Sequence, residues 1–285
     1  MSGTIFILLP VHNRREVTRR FIAALKAQTW RDYHLVLIDD GSSDGTAEMV
    51  RGEVPGLTVI TGTGRWWWAG ALQQGYEWLR GQSLAADDLV LIINDDTEFA
   101  PDFLEQAAGL MKNRRKSLLL ARPYSRQTGR LIGGGVHVDW RTLTFSWAAS
   151  ADAVNCCSTR GLFLWAGDFL ETGGFYPRLL PHYLSDYEFT MRAHRNGLEL
   201  VVSDALRLSV DETTTGYQLG EDSPRRAMGR YFSKKSKENP FSWSAFVLLA
   251  CPWTFKLTSL ARVWYGTGKK LVGKLVASGG LLPWS

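Results

Sequence analysis

A chain of 285 residues that is 45% hydrophobic is long enough to bury a sizeable core, which excludes disorder as its main state and fits one large domain with an appendage or two small domains. Its three cysteines, two of them adjacent at Cys156 and Cys157, support neither a disulfide framework nor a cysteine-type zinc site and point to the cytosol. The net charge of +5 is unevenly spread: residues 223–285 hold eleven Lys and Arg against the single acid Glu238, a charge of +10, which leaves −5 on residues 1–222.

The first element, "TIFILLPV", is a continuous apolar run of buried-strand type. Basic residues follow that run rather than precede it, and no small-residue cleavage site comes after, so it reads as a strand and not as a signal peptide. In "REVTRRFIAALKAQ", Val17, Phe21, Leu25 and Gln28 recur at helical intervals. "HLVLIDDGSSDGTAEMVRG" then reads as a strand, an acidic turn with two glycines, and a helix starting near Thr46. "LTVITGTG" is a third strand, and "AGALQQGYEWLRG" a third helix behind the three tryptophans Trp66, Trp67 and Trp68. "DLVLIINDDTEFAPDFLEQAAGLMKN" is a fourth strand ending in aspartates, with Pro101 opening a fourth helix in the favoured first-turn position. Strands alternating with helices imply a mainly parallel sheet flanked by helices, in which ligands bind at the carboxyl ends of the strands. Asp39, Asp40, Trp66 to Trp68, Asn94, Asp95 and Asp96 all fall on that edge.

The two acidic strand ends suit different partners. "IDDGSSDGT" lacks a glycine-rich phosphate cradle and offers carboxylates, which accept hydrogen bonds from a base N–H or a ribose hydroxyl; a nicotinamide enzyme is disfavoured. "NDDT" collects hard oxygen ligands that could hold a divalent cation against phosphates. Downstream, "RLIGGGVHVDWRTLTFSWAAS" alternates like a hairpin and forms a smaller antiparallel part, in which His137 is a plain strand residue. Asp186 begins the helical "YEFTMRAHRNG", where a capping role is the simple alternative to chemistry.

Taken together, "ILLPVHNR", "TWRDYHLVLIDDGSSDGT", "NDDT" and "GGFYPRLLPHYLSDYEFTMRAHRNG" resemble, in order and spacing, the family 2 inverting glycosyltransferases that act on bacterial surface polysaccharides, over about residues 4–215. The resemblance implies the GT-A nucleotide-diphospho-sugar transferase fold, α/β with a mainly parallel central sheet, a small antiparallel part and a C-terminal helical tail. It implies a nucleotide-diphospho-sugar donor, with Pro10, His12 and Asp39 around base and ribose and with Asn13, Asp40, Asn94 and Asp95 in the same donor-binding set. Asn94 and Asp96 stand where the family has its Asp-x-Asp metal motif, so Asp96 is the expected direct ligand of Mg²⁺ or Mn²⁺. Asp186 keeps the position of the catalytic base, although Ser185 and Glu188 replace the usual Glu and Asp around it. Arg65 could pair with phosphate, and one or two of the tryptophans, Trp67 and Trp68, are expected against the ligand with the remainder in the core. Asp211 or Glu212, in "DETTTG", stands where many relatives supply a histidine to the metal.

These readings divide the chain into a nucleotide-binding half (1–100), an acceptor-binding half (101–222) and a basic extension (223–285). In the extension, Trp253, Leu257, Leu260 and Trp264 recur at helical spacing among basic residues, the profile of a helix lying on an anionic membrane surface. Its apolar run from Ala245 to Trp253 is broken by Pro252 and too short to span. Packing of that helix on the catalytic domain or on a partner chain is the alternative. No nucleic-acid motif accompanies the basic residues, and an oligomer is compatible with the pattern. The expected protein is thus a cytoplasmic enzyme, peripheral on the inner face of the cell membrane, acting on a glycan or lipid-linked glycan. Competing readings are a sugar-nucleotide-binding protein without turnover and a sugar-phosphate nucleotidyltransferase. The second of these would want a glycine-rich, lysine-bearing N-terminal loop that "LLPVHNRREV" lacks.

Overall fold

The structure is a computed structural model that describes residues 3–213, 231–234 and 236–278. Its N-terminal portion alternates strands and helices as expected: β1 (Ile5–Val11), α1 (Arg15–Lys26), β2 (Tyr33–Asp39), α2 (Thr46–Glu53), β3 (Thr58–Thr61), α3 (Trp67–Arg80), β4 (Leu89–Ile92), β5 (Thr97–Glu98) and α4 (Phe103–Lys112). The rest supplies β6 (Ser117–Ser125), β7 (Gly135–Asp139), β8 (Thr144–Trp147), β9 (Cys156–Cys157), β10 (Leu162–Trp165), α5 (Ala166–Thr172), α6 (Ser185–Arg195), β11 (Glu199–Val210), α7 (Pro240–Ala250) and α8 (Trp253–Ser278).

Eight strands form one sheet in the order β3-β2-β1-β4-β10-β6-β11-β5. The first four are parallel, β10 runs antiparallel between β4 and β6, and β11 is parallel to β6. Continuous apolar strands are what a sheet covered on both faces requires. Along β1, Ile5, Ile7 and Leu9 pack with Phe21, Ile22 and Leu25 of α1, while Leu8 packs on the other face with Leu72 and Leu79 of α3. Each such fully buried Leu or Ile contributes about 1.5–3 kcal/mol. Helix α3 lies close on the sheet because Gly75 leaves room: a Cβ there would meet Ile38 Cδ1 at 2.8 Å. The fourth helix begins at Phe103, two residues past Pro101, with Asp102 in the preceding cap position.

The expected hairpin is β7 and β8, which with β9 makes a separate three-stranded antiparallel sheet. His137 on β7 bonds the Ala153 carbonyl through Nδ1 (2.8 Å), a strand residue as expected. Helix α7 is capped by Asn239, whose side-chain oxygen accepts from the amides of Phe241 and Ser242, with Pro240 in the first turn. It buries Phe246 and Ala250 against Val136, Val138 and Met191, and Arg195 of α6 donates to the terminal carbonyls Leu249 O and Ala250 O. Helix α7 therefore shares a core with the small sheet, while α8 leaves Trp253, Leu257 and Tyr265 exposed. The three cysteines are free and buried.

Candidate active site

The carboxyl edge of the parallel strands converges on a cavity of about 590 Å³. Pro10 and His12 reach it from the end of β1, Asn94, Asp95 and Asp96 from the turn after β4, and Trp67 and Trp68 from the start of α3. Asp40 also borders it. Among the residues singled out from the sequence, Asn13, Asp39 and Arg65 do not line this cavity, and Asp186 lines a second one of about 320 Å³ that shares Trp68, Asn94 and Arg160 with the first.

The two adjacent aspartates after β2 hold the edge together. Asp39 Oδ1 accepts from the Ser42 amide at 2.8 Å. The Asp40 carboxylate accepts from four successive backbone amides: Gly64 (2.8 Å) and Arg65 (3.1 Å) on Oδ1, Trp66 (2.8 Å) and Trp67 (3.1 Å) on Oδ2. This anion satisfies the orphan donors and positive dipole end of α3. Glycine is required at position 62, where a Cβ would lie 2.6 Å from both Asp40 Oδ1 and the Trp66 ring. The same bonds hold Trp67 at φ +58°, a strained value for a bulky residue. Asp40→Ala should therefore cost at least about 2 kcal/mol in a denaturant titration, since hydrogen bonds to a charged group contribute about 1.5–3 kcal/mol each; unchanged stability would show that the cap is dispensable.

The question of three consecutive tryptophans resolves by side. Trp66, half-buried, packs against the core beside α3 and does not line either cavity. Trp67 faces the cavity, edge-on to His182 with ring centroids 6.3 Å apart. Trp68 lies on the wall between the two cavities, and its indole N–H donates to Asp186 Oδ1 at 2.7 Å. His12 donates from Nδ1 to the Asp40 carbonyl (2.7 Å), which leaves Nε2 to accept from the Asn13 amide (3.3 Å). Asn13 Oδ1 in turn accepts from the Ser43 amide, so Asn13 braces the acidic turn.

Asp95 is held by Arg14 Nε (2.9 Å) and the Thr18 hydroxyl (2.9 Å); burial pushes its pKa up to about 6 against the pull of that guanidinium. Asp96 differs. Its Oδ2 lies 3.8 Å from both Arg14 and Arg160, and its buried Oδ1 has no hydrogen-bond partner. Asp211 donates its backbone N–H to Asp96 O, but its carboxylate accepts from Gln127 and Thr213 and pairs with Arg20. The Asp211 carboxylate is thus turned to its own neighbours.

Asp186 lies in the first turn of α6 yet does not cap it: its oxygens accept from Trp68 Nε1, from the Thr159 amide at 3.2 Å and from Ser185 Oγ at 3.3 Å. Burial raises its pKa above the usual carboxylate range, opposed by those hydrogen bonds. Glu188 pairs with Arg192 at 2.9 Å, and Arg192 also donates to the carbonyls of Gly173 and Gly174, so this acid braces the loop ahead of α6. Tyr183 lines the main cavity too, as do Arg14, Arg160, His182 and Lys237, which were not singled out from the sequence. Arg160 arrives there because β10 runs antiparallel, which brings the residues before it, not after it, to the carboxyl edge; the Gly161 amide donates to Ile92 O at the end of β4.

Solved structures share this architecture. TarS 1-349 of S. aureus in complex with UDP-GlcNAc superposes with a TM-score of 0.62 at 14% identity, over 96% of this chain and 73% of that one. The mannosyltransferase PcManGT from Pyrobaculum calidifontis, in complex with GDP-Man and Mn²⁺, gives a TM-score of 0.56 at 15% identity, over 96% and 85% of the two chains. At these identities the likeness shows the fold, which is of the GT-A type. The sequence profile described as "Glycosyl transferase family 2" matches residues 6–162, more than half of the chain, and on that ground the protein belongs to glycosyl transferase family 2 and is a glycosyltransferase.

Proposed function

We propose that this glycosyltransferase is an inverting enzyme that moves a sugar from a nucleotide-diphospho-sugar to a hydroxyl of a glycan or lipid-linked glycan, with Asp186 as general base. The observation that carries this reading is the position of Asp186 on the smaller cavity, its carboxyl oriented by the Thr159 amide and by Trp68, which lines both cavities. In this reading the donor occupies the larger cavity, its nucleotide toward Pro10 and His12 and its sugar toward Trp67 and Trp68, while the acceptor hydroxyl enters from the smaller cavity. Asp186 takes the hydroxyl proton as that oxygen bonds to the anomeric carbon, and the nucleoside diphosphate leaves from the opposite face. Burial raises the pKa of Asp186, which makes its carboxylate a stronger base than an ordinary one. Domains follow the same division: residues 1–100 for the nucleotide, 101–222 for the acceptor. UDP-GlcNAc and GDP-Man, bound by the two similar structures, are the first donors to test.

Asp96 suits a divalent cation because its buried Oδ1 is an acceptor without a donor. Among the described residues no group of three His, Cys, Asp or Glu could hold a metal unaided. Mg²⁺ or Mn²⁺ would therefore be held by Asp96, with Asn94 beside it, together with phosphate oxygens and water. When bound, the ion offsets charge on the departing diphosphate.

For the extension, the proposal is an interfacial helix that keeps the enzyme on the inner face of the cell membrane. Among the described residues no helix is long and apolar enough to cross a membrane. Helix α8 exposes Trp253 (85%), Leu257 (82%) and Tyr265 (71%), with Lys256 Nζ 5.7 Å from the Trp253 ring and Lys269 Nζ 6.0 Å from the Tyr265 ring. Vesicle binding should rise with anionic lipid and fall with salt, each basic residue contributing about 1 kcal/mol near such a surface. Replacing Trp253 and Leu257 with Ser should weaken binding even at low salt, because the apolar face supplies insertion energy. Binding indifferent to lipid charge, salt and both substitutions would contradict the membrane reading.

A further inference from the structure

We infer that Arg160 and Lys237 form a cationic clamp on the donor's diphosphate, which makes the C-terminal extension part of the transfer machinery as well as an anchor. This rests on the donor reading above. The first ground is the charge balance of the main cavity. The Asp40 carboxylate is taken up by four backbone amides and Asp95 by Arg14 and Thr18, so Asp96 is the one acid there with an oxygen to spare among the described residues. Against it stand Arg160 and Lys237, on separate elements bordering the same space.

Arg160 carries the stronger argument. Its side chain is 26% exposed and lines both cavities, and its only acidic neighbour among the described residues is Asp96 at 3.8 Å. No described residue accepts a hydrogen bond from it. Its five N–H donors open on the cleft with no protein acceptor among the described residues, so they are free to bond a ligand's oxygens. The planar fork matches two phosphate oxygens, and charge-assisted bonds of that kind are the strong ones. The Gly161 amide, bonded to Ile92 O at 3.0 Å, fixes the loop beside the Asn94–Asp96 turn.

Lys237 comes from the other side of the chain. Its ammonium sits 5.6 Å from the centroid of the Tyr183 ring, and its carbonyl accepts from the Trp243 indole at 2.8 Å. Trp243 belongs to α7, whose buried face packs on the small sheet, so the extension holds this lysine at the cavity rim. During transfer the acceptor oxygen bonds to the anomeric carbon, the bond from that carbon to the phosphate oxygen breaks, and the proton passes to Asp186. The nucleoside diphosphate keeps the electron pair, and the added negative charge falls between Arg160 and Lys237. No other reactant is needed.

The test measures binding of UDP and GDP, and of uridine and guanosine, to the full chain by calorimetry at low salt, with and without Mg²⁺. For whichever diphosphate the wild type prefers, Arg160→Gln should weaken binding tenfold or more and Lys237→Gln several-fold, with nucleoside affinity unchanged. Arg160→Lys should recover only part of the loss, because a point charge lacks the fork. An unchanged ratio of diphosphate to nucleoside affinity in either variant overturns the clamp, as does a parallel loss of both affinities, which marks a structural role. Where neither is preferred the series is extended to ADP, CDP and dTDP, and a wild type that binds none of the five more tightly than the matching nucleoside removes the donor reading itself.

Discussion

Replacing Asp186 by Asn should lower turnover roughly 10²-fold or more while leaving donor affinity within about twofold, because on the proposed mechanism it removes the general base. The amide keeps one oxygen to accept from Trp68 or from Thr159 and turns its NH2 on the other donor, so thermal unfolding of the variant is the control for local structure. The pH dependence follows from the direction of the shift. Burial raises the Asp186 pKa, and the base acts only when deprotonated, so the wild-type rate should fall as pH drops through a value above the ordinary carboxylate range. That acid limb should be missing from the residual activity of the Asn variant. A collapse of donor affinity would instead make Asp186 a donor-binding or structural residue.

Asp96→Ala should abolish transfer, and with it the thermal stabilisation given by Mg²⁺ or Mn²⁺ together with a nucleoside diphosphate. The leaving charge would lose its ion, which is a several-kcal/mol effect in metal-assisted displacement. The substitution leaves the backbone bond from Asp211 N to Asp96 O in place, so unfolding without ligand serves as the control for the fold. Full activity of this variant in chelator would exclude a metal held by Asp96.

The order of strands and helices was legible because period and composition report it locally: "TIFILLPV" and "HLVLIDD" are short apolar runs bounded by turn residues, which read as strands covered on both faces. What the chain pattern did not show was direction. Nothing in "GLFLW" marks β10 as antiparallel, and that reversal is why Arg160, at a strand start, shares an edge with Asp96, at a strand end. Asp39 and Asp40, two acids beside one strand end, look alike in sequence, and Asp40 both borders the cavity and caps α3. Which of them caps α3 depends on the approach of residues 64–67, a tertiary fact. The division of the tryptophans into core and cavity depended on the strained turn at Trp67 in the same way. Lys237 lay in a stretch legible only as basic charge; its place at the cavity follows from the packing of α7, which amphipathicity could not show because α7 is apolar around most of its surface.

The central claim is direct displacement at the anomeric carbon with Asp186 as base. It is tested most directly by supplying an α-configured nucleotide-diphospho-sugar with a saccharide acceptor and reading the new linkage from the one-bond carbon–proton coupling at its anomeric centre by NMR. The expected result is a β-linked product that the wild type makes and Asp186→Asn does not. An α-linked product, or a β-linked product formed equally well by Asp186→Asn, would contradict it.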